Sequence, residues 1–151
     1  MFIYTAKFSK RRAFSLIALL AAIIAGGFFL CSSLPDNNEI SAANDAERIA
    51  YLHSLGWETE ASAVETVALT LPDPLEEPYL SYNVLQQQQG FDLQPYAGKN
   101  IERSTYTLTN HPSALPCQAN LYTHHGKLIA GDILCSGEGG FIAPLTFPGS
   151  K

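Results

Sequence analysis

The stretch Cys117-Gln-Ala-Asn-Leu-Tyr-Thr-His-His-Gly-Lys-Leu-Ile-Ala-Gly-Asp-Ile-Leu-Cys135 decides the fold. Two β-favouring runs, 118–123 and 127–134, flank the turn His124-His125-Gly126. So short a connection makes the two runs an antiparallel hairpin. With His124 opposite Leu128, Cys117 stands directly opposite Cys135, close enough for a disulfide after local adjustment. A slip of one residue would turn the two side chains to opposite faces. Two readings stay open: a disulfide, contributing about 3 kcal/mol through loop closure, or two buried free thiols.

Upstream, 101–109 alternates. Ile101, Arg103, Thr105, Thr107 and Thr109 lie on one side, Ser104, Tyr106 and Leu108 on the other, and His111-Pro112 ends the run. The β-rich run 64–71, bounded by Pro72, is a further strand. A first helix opens at Asn44, with Glu47 three residues on as in a capping box. Ile49, Leu52 and either Ala46 or His53 share its face, Gly56 closes it, and Trp57 folds back as core. A second helix starts between Asp73 and Pro78 and ends at Gly90. Pro78 suits its first turn, and Leu75, Tyr79, Tyr82 and Leu85 form one stripe that reads as core. Downstream, 141–147 adds a short strand or edge segment. The order α-β-α-β-β-β predicts an α+β two-layer domain: a largely antiparallel sheet with the helices on one face.

Beyond the domain, charge is unevenly distributed. Lys7, Lys10, Arg11 and Arg12 give the first segment +4. All fourteen acids follow Leu34, and with five cations they leave −9. Between the two lies an uncharged apolar run, 13–31, whose nineteen residues span roughly 28 Å as a helix. This matches a bilayer core of about 30 Å. The predicted organisation is a basic cytoplasmic tail at 1–12, a transmembrane signal-anchor at 13–31, a polar linker at 32–43 and an extracytoplasmic domain at 44–151. Flanking cations keep the N-terminus inside. A cleaved signal peptide competes, but its apolar region is usually about 7–15 residues. Its cleavage signals, Cys31 with Ser33 or Ser41 with Ala43, are poor. Lipidation at Cys31 lacks the small residues expected before it, where Phe28-Phe29-Leu30 stands.

Three stretches carry a resemblance: Tyr51-Leu-His-Ser-Leu-Gly-Trp57, the run from Tyr82 to Lys99, and Ala119-Asn-Leu-Tyr with Gly126-Lys, Ala130-Gly-Asp-Ile-Leu-Cys-Ser136 and Gly140-Phe141. Across roughly 47–143 they are similar to the domain-of-unknown-function 4830 family. The resemblance implies a short membrane segment followed by one small domain, mainly in Firmicutes. It carries no catalytic or binding residue over to this chain. Pro78 departs from the uninterrupted helix expected there.

Few residues suggest chemistry. His124 and His125 sit at the hairpin tip, roughly 30 Å along the strand from Cys135, so they cannot serve it as a base. His53 or His111 would have to approach from elsewhere. Adjacent histidines in an extended strand point apart and chelate poorly. Gly131-Asp132 is more informative. Glycine inside a strand marks a bulge or a close backbone approach, and Asp132 is either a buried hydrogen-bonded residue or a pocket residue. Glu58, Glu60, Glu65, Asp73, Glu76 and Glu77 match no calcium loop and read as a solvated face. The charge of −9 beyond Leu34 disfavours nucleic acid. No phosphate loop, nucleophile elbow, metal-ligand pair or cofactor motif is present in the sequence.

The expectation is a non-catalytic binding module at the bacterial cell envelope, anchored by 13–31 and engaging a protein or envelope partner. Asp132 and Cys135 are its candidate site residues. The alternatives are a thiol-dependent enzyme or redox protein centred on Cys135, and a secreted factor released by cleavage.

Overall fold

The computed structural model describes residues 39–148. The basic tail, the apolar run 13–31 and most of the linker lie outside the described residues. Among the described residues no helix is long and apolar enough to cross a membrane.

One sheet organises the domain. Its five antiparallel strands run in the order of the chain: β1 (Glu65–Thr70), β2 (Asn100–Thr107), β3 (Cys117–His124), β4 (Lys127–Cys135) and β5 (Phe141–Ala143). Two helices, α1 (Asp45–Ser54) and α2 (Tyr79–Gln87), and a 3-10 turn at Gln94–Tyr96 complete it.

In the central hairpin Cys117 stands opposite Cys135, and this register continues to Tyr122 and Ala130. It then shifts, so that Thr123 faces Leu128 and His124 faces Lys127. The pairing of His124 with Leu128 is therefore corrected. Ile129 is the extra residue of a β-bulge, and the turn is the two-residue His125-Gly126. Both turn residues have positive φ (50° and 77°), as a turn matched to strand twist requires.

The helix ends follow local rules. The Glu47 N–H donates to Asn44 Oδ1 at 3.0 Å, while the Glu47 carboxylate accepts from Asn44 Nδ2 and the Ala43 N–H, each at 2.9 Å. Gly56, at φ +96°, lets the Trp57 N–H reach back to the Leu52 carbonyl at 3.0 Å. Gly90 does the same for α2, where the Phe91 N–H bonds the Gln86 carbonyl at 3.0 Å. α2 begins at Tyr79, with Pro78 just before it, where a missing N–H leaves no helix bond unmade.

The helices do not share a face, which corrects the two-layer reading. Leu52 of α1 packs with Tyr106, Ala119, Leu121 and Ile133. Tyr79 and Tyr82 of α2 pack with Ile101, Ala130 and Tyr122, which project from the opposite side. β3 and β4 carry apolar residues on both faces, in short continuous runs such as Leu128-Ile129-Ala130, so both faces must be covered.

The outer edge of β4 is also covered. The Leu128 N–H donates to the Ile40 carbonyl at 2.9 Å, and the Ala42 N–H to the Gly126 carbonyl at 2.8 Å. Residues 40–42, read as linker from sequence, thus pair along the sheet, and Ala42 is fully buried. Beyond the bulge the Gly131 N–H donates to Gln86 Oε1 at 2.9 Å, and its carbonyl accepts from Gln89 Nε2 at 3.1 Å. β5 takes over from Ile133 to Cys135. Among the described residues no strand covers β1 on its outer side.

Candidate functional site

A cavity of about 500 Å³ lies between α2 and the sheet face beneath it. Leu69, Ile101 and Tyr122 line it from the sheet, and Tyr79, Tyr82 and Leu85 from α2. The exposed Ser81 and Ile142 also border it, so it opens to solvent. The lining is mostly apolar, with three tyrosines and Ser81 among its residues. Cavities of this size and character hold small molecules or a partner's side chains.

Behind Tyr82 lies a hydrogen-bonded chain. The Tyr82 hydroxyl donates to Asp132 Oδ2 at 2.6 Å, and Asn120 Nδ2 donates to Asp132 Oδ1 at 2.8 Å. The Thr105 hydroxyl donates to Asn120 Oδ1 at 2.8 Å. Asp132 is 3% exposed. Burial raises its carboxyl above the ordinary range, opposed by the Tyr82 and Asn120 hydrogen bonds and the Arg103 charge. Burial likewise pushes up the Tyr82 and Tyr122 phenols, and the Asp132 charge adds to it. Tyr82 and Tyr122 are therefore neutral hydrogen-bond donors in the cavity wall. Asp132 does not reach the cavity itself; it fixes Tyr82, which does.

Cys117 and Cys135 are joined by a disulfide on the other sheet face, and both are buried. His111 comes to it from the segment between β2 and β3, which sequence distance did not suggest. Its ring stacks on Trp57 (centroids 5.4 Å apart, planes at 4°), and Nε2 is 3.8 Å from Cys135 Sγ. The Ser113 N–H donates to His111 Nδ1 at 3.0 Å, which assigns the proton of a neutral ring to Nε2, the nitrogen nearer the sulfur. His111, Cys117 and Cys135 place their donor atoms within 4.8 Å of one another. The disulfide uses both sulfurs, so as joined they offer no thiolate to a metal.

The remaining candidates sit apart. His124 donates from Nδ1 to the Asn100 carbonyl at 2.8 Å, a turn contact, and His53 is exposed on α1. Gly131 marks a close approach: a Cβ there would meet Leu145 Cδ1 and lie 3.0 Å from the Asn120 carbonyl. Sequence reasoning took the Tyr79–Tyr82–Leu85 stripe as plain core. The signal it held was the hydroxyls, since tyrosine at helical spacing brings a polar group that must find a partner.

A family model described as "Domain of unknown function (DUF4830)" matches residues 51–133, more than half of the chain, and the chain belongs to that family. No curated protein and no solved structure matches it.

Proposed function

We propose that this chain, a member of the domain-of-unknown-function 4830 family, is a membrane-tethered, non-catalytic binding module whose domain faces outward at the bacterial cell envelope and engages a protein or envelope partner. The cavity beneath α2 carries the reading. It is apolar, open and walled in part by the neutral Tyr82 and Tyr122, which suits burying an apolar group of a partner. The tether rests on the sequence: a +4 start, the apolar run 13–31 and a charge of −9 beyond Leu34.

The test uses the full chain, tagged at its C-terminus and expressed in cells, with a photoreactive residue at Ser81 or, as control, at His53 on the opposite helix. The reading expects a membrane-bound tag that protease removes from intact protoplasts, and cross-linking to a partner from position 81 alone. A soluble tag in the medium would replace the tether with a secreted factor. No cross-link at 81, or turnover of an envelope substrate by the purified chain, would overturn the binding reading.

One observation favours a second reading, a thiol redox protein centred on Cys135: the His111 N–H stands 3.8 Å from its sulfur, where it would stabilise a thiolate. Thiol titration with and without reductant separates the two. One reactive thiol of depressed pKa supports the redox reading, and inert sulfurs exclude it.

A further inference from the structure

The sheet ends in β1 on one side and in β4 with the three-residue β5 on the other. Along β4 each outward-turning backbone group named above has a partner, from residues 40–42, the α2 glutamines or β5. Along β1 the pattern of pairing shows which groups are left open. The Leu71 N–H donates to the Lys99 carbonyl at 3.0 Å, and antiparallel ladders alternate, so Leu69, Val67 and Glu65 turn their backbone toward β2. Thr66, Ala68 and Thr70 therefore turn theirs to solvent. The sequence Glu65-Thr-Val-Ala-Leu-Thr70 contains no Lys, Arg or Pro, the residues that usually blunt such an edge.

Charge says what fits there. From Ser54 to Gly98 the chain has seven acids (Glu58, Glu60, Glu65, Asp73, Glu76, Glu77 and Asp92) and no Lys, Arg or His. Glu65 is matched by Arg103 at 2.6 Å. Glu58 and Glu60, which lead into β1, and Asp73 and Glu76, which follow it, are exposed and enter none of the ion pairs among the described residues. A second copy of this chain would bring acid against acid along the shared edge. A cationic strand would meet complementary charge at both ends.

We infer that the open β1 edge takes an extended, lysine- or arginine-bearing peptide segment of a partner protein as a sixth strand, held by the outward backbone groups of Thr66, Ala68 and Thr70 and flanked by Glu58, Glu60, Asp73 and Glu76. This specifies the partner of the binding module and rests on that reading. Main-chain bonds supply affinity and alternate side chains supply selectivity in this mode. Val67 and Leu69 stand half-buried on the α2 side, and Leu69 lines the cavity. Apolar side chains of the added strand on that side would lie beside the cavity.

The test places the full chain in nanodiscs of neutral phosphatidylcholine. It measures binding of a fluorescent peptide of alternating valine and threonine flanked by lysines, and of the same peptide flanked by glutamates. Ala68→Pro removes an N–H that β2 does not use, so it blocks strand addition while the sheet stays paired. The lysine-flanked peptide is expected to bind at least about tenfold more tightly than the glutamate-flanked one, and Ala68→Pro to weaken it by about tenfold or more. Combined Glu58→Lys, Glu60→Lys and Glu76→Lys should reverse the preference. Equal binding of the two peptides, no binding, or indifference to Ala68→Pro would overturn the inference. A chain that is dimeric until Ala68→Pro makes it monomeric would give the edge to a second copy instead. Loss of peptide binding by Ser81→Trp, which fills the cavity, with none by Ala68→Pro would also overturn it and leave the cavity reading standing.

Discussion

The Tyr82 hydroxyl donates to Asp132 Oδ2 at 2.6 Å, across fifty residues of chain, and this bond ties α2 to β4. It joins the cavity wall to the buried polar chain that continues through Asn120 to Thr105. Tyr82→Phe keeps the ring and its edge-on contact with the Tyr122 ring (centroids 5.8 Å apart) but removes the donor. Asp132 then stays buried with one hydrogen-bond partner fewer, at a cost of about 1–3 kcal/mol. Urea denaturation measures this. A change within error would mean that water replaces the hydroxyl.

Asp132 gives the domain a defined pH response. Its folded carboxyl lies above the unfolded value near 3.8 because of burial, so the folded state holds its proton to higher pH. Stability from this group is therefore greatest below the unfolded value. It falls as pH rises through the interval up to the raised folded value, then levels off. The stability difference between wild type and Asp132→Asn should change across that interval and stay flat above it. A difference that grows in the opposite direction would show that the hydrogen bonds outweigh burial.

The Cys117–Cys135 disulfide spans 18 residues of sequence. In the chain-entropy account a loop of this length contributes about 3 kcal/mol, chiefly by restricting the unfolded chain. Cys117→Ala with Cys135→Ala should lower the denaturation midpoint accordingly, and reductant should then have no further effect. Wild type that is equally stable with and without reductant would remove the disulfide from the stability account.

Gly131 is fixed by its neighbour. A Cβ at this position would overlap Leu145 Cδ1 and press on the Asn120 carbonyl. Gly131→Ala should cost about 1–3 kcal/mol through displacement of the strand or of Leu145. Adding Leu145→Ala relieves part of the clash, so the two changes should cost less together than the sum of each alone, as a double-mutant cycle would read out.

Local chemistry made much of this fold legible in the sequence. Asn44 and Glu47 set the start of α1, Gly56 and Gly90 closed the two helices, and alternation at 101–109 and β-rich runs bounded by turn residues elsewhere marked the strands, because each signal acts within a few residues of itself. Sequence also placed Cys117 opposite Cys135, although by a turn pairing that the bulge at Ile129 replaces. The bulge carries no local sequence mark, since any residue can supply it. What only the tertiary structure decided were relationships between distant segments: which face each helix covers, the covering of the β4 edge by residues 40–42, Gln86 and Gln89, the approach of His111 to Cys135, and the union of Tyr82 with Asp132. Propensity and capping depend on neighbours in the chain. These contacts depend on which surfaces remain apolar or unpaired once the strands are assembled, and that is settled only when the whole sheet exists.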